Sequence, residues 1–262
     1  MSGVAEQGIY SPITEVAFTA HSTHGLVPAL AWLPTRRGDD PPPPVVLLGH
    51  GGSGHKGIDR HRRLATRLAG DHGIAALAID GPFHGDRAVP GDGPLDYQQR
   101  VIALGPHNVH QRMSQDWLSA LSVLAEDQPV DSERIAFLGL SMGARYGLAL
   151  CAQLGARLVA AVIGKFGLAS TDGFMTAMAA TDLNRSSAAV ITAPVLQHVQ
   201  WDDEVFARAG QLELFDHFAS PEKVLRARGG LHHHTRDDDE DAWLQHLVSH
   251  LLGPRTRADD GD

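Results

Sequence analysis

The chain has 262 residues, 43% of them hydrophobic and 20% charged, with a net charge of −9 and a pI near 5.9. That length supports one large soluble core without disulfide staples, and the acidic balance argues against nucleic acid or an anionic membrane as a partner. The single Cys151 excludes an intramolecular disulfide and fits a reducing compartment, no basic segment followed by an apolar run opens the chain, and no stretch nears the ~20 apolar residues of a membrane span, so a cytoplasmic protein is expected.

In chain order, Ile13 to Ala20 and Leu26 to Leu33 read as an antiparallel hairpin around a turn at His21 to Gly25. Four prolines, Pro41 to Pro44, then form a stiff surface loop, because they cannot donate sheet hydrogen bonds. From there short apolar runs alternate with helical spacing. Val45 to Leu48 is a buried-type strand, Ile58 to Gly70 a helix with a glycine stop, and Ile74 to Ile79 a strand. His107 to Glu126 is a helix, Ile135 to Leu140 a strand, Gly143 to Leu154 a helix, and Leu158 to Ile163 a strand. Pro194 to Val199, Ala207 to Phe218, Lys223 to Ala227 and Asp241 to Leu252 complete a strand–helix–strand–helix series. Such alternation implies an α/β fold: about eight strands in a mostly parallel sheet with helices on both faces. One domain over residues 1–252 is expected, followed by a polar, disordered tail at 253–262.

Three segments carry chemistry. Gly139-Leu140-Ser141-Met142-Gly143 joins a strand to a helix, the setting that pushes a serine hydroxyl out on a strained turn. The flanking glycines let strand and helix approach, and the helix N-terminus adds positive potential beside Ser141. An ordinary helix cap flanked by glycines would read the same way in isolation. Gly49-His50-Gly51-Gly52-Ser53-Gly54 leaves backbone N–H groups unshielded after a strand, as an oxyanion hole requires. Gly52 is the expected first donor, with Gly51 the alternative, and the N–H of Met142 is the second. The loop lacks the phosphate-binding Gly-x-x-x-x-Gly-Lys-Ser/Thr pattern, and His50 is expected to orient it. The third segment is Asp80-Gly81-Pro82-Phe83-His84-Gly85.

Together these segments resemble the α/β-hydrolase superfamily in order and spacing. Asp80 to Gly85 is similar to its Asp-x-x-Gly-His-Gly loop, with Phe83 replacing a small residue. Within the superfamily the chain looks most like the dienelactone hydrolase and acyl-peptidase-like branch. The resemblance implies a Ser–acid–His order. It selects Ser141 as nucleophile, and Asp203 as acid through a Gly-x-x-Asp-x-x-Val pattern in which Gln200 stands at the Gly position, with Asp202 the rival and Asp172 a more distant one. His232 is the implied base and His233 its alternative. The implied activity is cleavage of a carboxylic ester or related acyl bond in a small or medium substrate, with no cofactor. Thioesterase, peptidase or acyltransferase chemistry would use the same triad, and a silent binding module would keep the fold without it.

Two further segments have rival readings. His232-His233-His234 invites a metal site, but adjacent side chains converge poorly on one ion, so no metal is expected. The acidic run from Asp237 to Asp241 reads as a solvated helix start. About thirty residues separate the strand ending near Gly164 from that at Pro194, too few for a large lid. Phe166, Phe174, Met175 and Met178 there suit either a single capping helix or plain core packing. A small-molecule acyl substrate is the expected partner, and the oligomeric state is left open.

Overall fold

The computed structural model describes residues 12–93, 95–171 and 173–253. Eight strands form one sheet: β1 (Ile13–Ser22), β2 (Gly25–Pro34), β3 (Pro44–Gly49), β4 (Ala75–Ile79), β5 (Asp131–Leu140), β6 (Leu158–Gly164), β7 (Val195–Gln200) and β8 (Lys223–Arg228). Their spatial order is β1-β2-β4-β3-β5-β6-β7-β8. The β1–β2 and β2–β4 pairs are antiparallel, and β4, β3, β5, β6, β7 and β8 run parallel. The hairpin is longer than the sequence suggests: Ser22 pairs with Gly25, leaving only Thr23 and His24 in the turn. Gly25, at φ 121, supplies the backbone angle that so tight a return needs.

The helices are α1 (Asp59–His72), α2 (Asp96–Leu104), α3 (Pro106–Asp127), α4 (Met142–Leu154), α5 (Gly173–Ala177), α6 (Thr181–Ala188), α7 (Arg208–His217) and α8 (Asp237–Leu252). Strand side chains alternate between two cores. Val45, Leu47 and Phe137 face Trp117 and Tyr146 on α3 and α4. Val46, Leu48 and Leu138 face Leu64 and Leu68 of α1 and Trp243 and Leu247 of α8. Two covered faces explain why the central strands read as unbroken apolar runs.

Four expectations need correction. Gly70 does not end α1; the helix runs on to His72 and stops at Gly73, whose left-handed φ of 65 lets its N–H cap the Leu68 carbonyl. Helix α2 was not expected; nine residues flanked by Gly93 and Gly105 give too short a pattern to stand out. Two short helices, α5 and α6, replace the single capping helix, while Phe166 and Met178 are buried in the core. The acidic run starts α8 four residues early and is not simply solvated: Asp239 pairs with Arg226 and Arg228, and Glu240 with Arg63. Residues 254–262, Asp172 and the side chain of Phe174 lie outside the described residues. No helix among those described is long and apolar enough to cross a membrane.

Candidate active site

The loops that leave the carboxyl ends of β3 to β8 meet above the sheet, where open α/β sheets bind ligands. Ser141 is the one residue between β5 and α4, at φ 57 and ψ −118. A non-glycine residue in that region stores about 1–3 kcal/mol of strain, and the surroundings hold it there. The Ser141 N–H donates to the Gly164 carbonyl at 2.8 Å. A Cβ on Gly143 would lie 2.3 Å from the Gly49 carbonyl oxygen, and one on Gly139 would lie 2.6 Å from the Phe137 ring. Both glycines are therefore required by close approach of β3, β5 and α4.

The glycine loop after β3 is tied to the loop after β4 by two buried groups. The His50 Nε2 accepts the Gly81 N–H at 2.7 Å, so its proton sits on Nδ1, which donates to the Gly51 carbonyl at 2.8 Å. Burial drives the His50 pKa down to about 3 and keeps the ring neutral. His50 thus orients the loop. The buried Asp80 carboxylate accepts the Lys56 N–H at 2.9 Å, the Lys56 ammonium at 2.7 Å and the Asp86 N–H at 2.9 Å. A Cβ on Gly85 would fall 2.2 Å from that carboxylate, which accounts for the second glycine of the Gly-His-Gly-like motif. His84 bridges the loops too, with Nε2 2.8 Å from the Gly52 carbonyl.

A Cβ on residue 52 would meet the Tyr97 hydroxyl of α2 at 2.6 Å, so a side chain there must displace the tip of Tyr97; Gly51 has only the Leu140 carbonyl at 4.0 Å. Among the described residues, the N–H groups of Gly51, Gly52 and Met142 have no backbone acceptor. All three remain free to donate.

The β7 loop contributes three consecutive carboxylates, each with its own task. Asp202 Oδ2 accepts the Gly230 N–H at 2.8 Å. Asp203 Oδ2 accepts from His232 Nδ1 at 2.8 Å, while its Oδ1 accepts the Val205 and Phe206 N–H groups, each at 2.8 Å. Glu204 Oε2 accepts the His232 main-chain N–H at 2.8 Å, which, ahead of other causes, holds its carboxyl below the usual range. On its other side, His232 Nε2 accepts from the Ser141 hydroxyl at 2.9 Å. The Asp203 side chain is shut off from solvent, whereas His232 is partly open. Ser141, His232 and Asp203 are thus brought together. Asp202 and His233 are not; His233 is exposed and stacks edge-on against His234, with ring centroids 4.2 Å apart. No three His, Cys, Asp or Glu side chains converge in metal-binding fashion among the described residues.

Three neighbours carried no signal in the sequence. Glu204 was hidden behind two rival aspartates, and Tyr97 lies on the unexpected α2. Arg145, one turn into α4, is buried between the Phe166 and Phe206 rings at 5.9 and 5.8 Å, and no carboxylate pairs with it among the described residues.

The model of the dienelactone hydrolase family matches residues 29–225, which span most of the chain. The chain belongs to the dienelactone hydrolase family. Its fold is that of an α/β-hydrolase, as the solved structures also indicate. A polyethylene-glycol-bound cold-adapted esterase from an Arctic intertidal metagenomic library is 27% identical, with a TM-score of 0.75, over 95% of this chain and 100% of that one. The acetyl xylan esterase from Paenibacillus sp. R4 is 20% identical, with a TM-score of 0.72, over 94% and 87% of the two chains. A putative dienelactone hydrolase from Klebsiella pneumoniae subsp. pneumoniae MGH 78578 is 18% identical, with a TM-score of 0.71, over 93% and 100%. No curated protein matches the sequence. This member of the family is a hydrolase acting on ester bonds.

Proposed function

We propose that the enzyme cleaves carboxylic esters of small or medium substrates through a Ser141–His232–Asp203 triad and an acyl-enzyme intermediate. The observation that carries this reading is the unbroken pair of hydrogen bonds from Ser141 Oγ to His232 Nε2 at 2.9 Å and from His232 Nδ1 to Asp203 Oδ2 at 2.8 Å, with Ser141 in a strained turn. His232 takes the Ser141 proton as the oxygen attacks the ester carbonyl. The N–H groups of Gly52 and Met142 hold the resulting oxyanion. Collapse transfers the proton from His232 to the departing alcohol and leaves an acyl-serine. A water deprotonated by the same imidazole then releases the acid. The Asp203 carboxylate orients the imidazole and steadies the imidazolium.

The fluorophosphonate reaction tests the nucleophile. Labelling is expected on Ser141 alone, and Ser141→Ala should lower p-nitrophenyl ester turnover about 10⁴-fold or more. An unlabelled Ser141, or a variant with undiminished hydrolysis, would sink the proposal. A panel of esters, acyl thioesters and aminoacyl amides, run with and without an added alcohol acceptor, separates ester hydrolysis from thioesterase, peptidase and acyltransferase activity. We take the small acyl substrate as the principal partner and, from the single free Cys151, assign the enzyme to a reducing, cytoplasmic compartment.

A further inference from the structure

The loop bearing His232 rests on a buried cation. Lys165 follows Gly164, the residue whose carbonyl receives the Ser141 N–H, and its own N–H donates to the His198 carbonyl at 2.9 Å. It sits at φ 50, a left-handed angle unusual for a long side chain, and is only 3% exposed. Its ammonium donates to the His234 carbonyl and, at 2.8 Å, to the Thr235 hydroxyl. Arg60 of α1 donates to the same hydroxyl at 3.1 Å.

Buried ammonium groups normally face a carboxylate, yet none lies within ion-pair distance of Lys165 among the described residues. The charges around it are Arg60 from α1, Asp239 from α8, and Asp203 and Glu204 from the β7 loop; burial first, then Arg60, pushes its pKa down to about 8. Such a group costs stability that an apolar residue would not. What it gains is hold on the base loop. The loop is gripped on one side by Asp202 and Glu204, which accept the N–H groups of Gly230 and His232. On the other side Lys165 grips two groups just beyond His232.

We infer that Lys165 is a positioning residue: its ammonium fixes the loop at His234 and Thr235 and so holds the His232 imidazole within hydrogen-bond reach of Ser141. This rests on the triad reading above.

The experiment compares steady-state kinetics and urea midpoints for the wild type, Lys165→Met, Thr235→Val and Ser141→Ala. Lys165→Met is expected to lose roughly 10- to 100-fold in kcat, the scale of a misplaced catalytic group, with KM nearly unchanged and no loss of stability. Thr235→Val removes one of the two contacts, and a fall of about 2- to 5-fold in kcat is expected, the scale of a single hydrogen bond. A folded Lys165→Met with wild-type kcat, or one whose loss lies in KM alone, overturns the inference. If that variant does not fold, Thr235→Val decides: a lowered kcat supports the clamp and a wild-type kcat overturns it. Undiminished hydrolysis by Ser141→Ala would instead defeat the triad reading itself.

Discussion

At the elbow, Ser141 is fixed by main chain: Gly143 and Gly139 have no room for a Cβ, and the Ser141 N–H is spent on Gly164. Across the site, the loop carrying His232 has one main-chain tie, from the Asp202 N–H to the Gly230 carbonyl at 3.2 Å, and is otherwise held through side chains, with Asp202, Asp203 and Glu204 on one flank and Lys165 on the other. The first arrangement resists small changes because nothing in it rotates. The second divides its hold among several contacts, each replaceable and each worth little alone.

This contrast is open to attack by substitution. Asp203→Asn should do the most damage, about 10³- to 10⁴-fold in kcat, because an amide in that position favours the wrong imidazole tautomer. Along the same triplet, Glu204→Gln should cost several-fold and Asp202→Asn less, so steady-state kinetics should return a graded series. Three equal losses would mean that the loop moves as one unit and would erase the distinction. At the elbow the effect falls on folding. Gly143→Ala puts a methyl against the Gly49 carbonyl at 2.3 Å, and the urea midpoint should fall by the equivalent of about 1–3 kcal/mol or more. A variant with the wild-type midpoint would mean that the elbow is more pliant than its contacts imply.

Acid loosens the glycine loop without mutagenesis. Burial lowers His50 to about 3 and His61 to about 4, both beside the glycine loop, from an ordinary 6.5. A base with a depressed folded pKa binds its proton more readily when unfolded, so stability rises with pH across that interval. The stabilisation is complete above pH 6.5 and drains away as the pH falls toward 4. Glu204, whose carboxyl is held low, stays ionised through most of that range. Hydrogen exchange along an acid titration should therefore find the glycine loop losing protection as the pH falls below 6.5.

Much of this fold was legible because burial on two faces writes itself into composition. Val45 to Leu48 and Ala75 to Ile79 are unbroken apolar runs for that reason. The elbow was legible through its glycines, since close backbone contact admits no other residue. What stayed hidden was set by contacts remote in sequence. Nothing near Gly70 signals that the helix continues, because the stop depends on the left-handed backbone of Gly73. Asp202 and Asp203 are adjacent and chemically identical; only the course of the loop after Gln200 turns one toward His232 and the other toward Gly230. Lys165 reads as any lysine after a strand, and its burial follows from where residues seventy positions away return.

The two short helices between β6 and β7 carry a kinetic consequence. Ser141 is only half-buried, and among the described residues the segment between β6 and β7 holds only these two short helices and no large flap. An oil–water interface therefore has no closed form to open. Turnover of a sparingly soluble ester should follow the dissolved monomer and level off where micelles form, whereas a jump in rate at that concentration would reveal a moving cover.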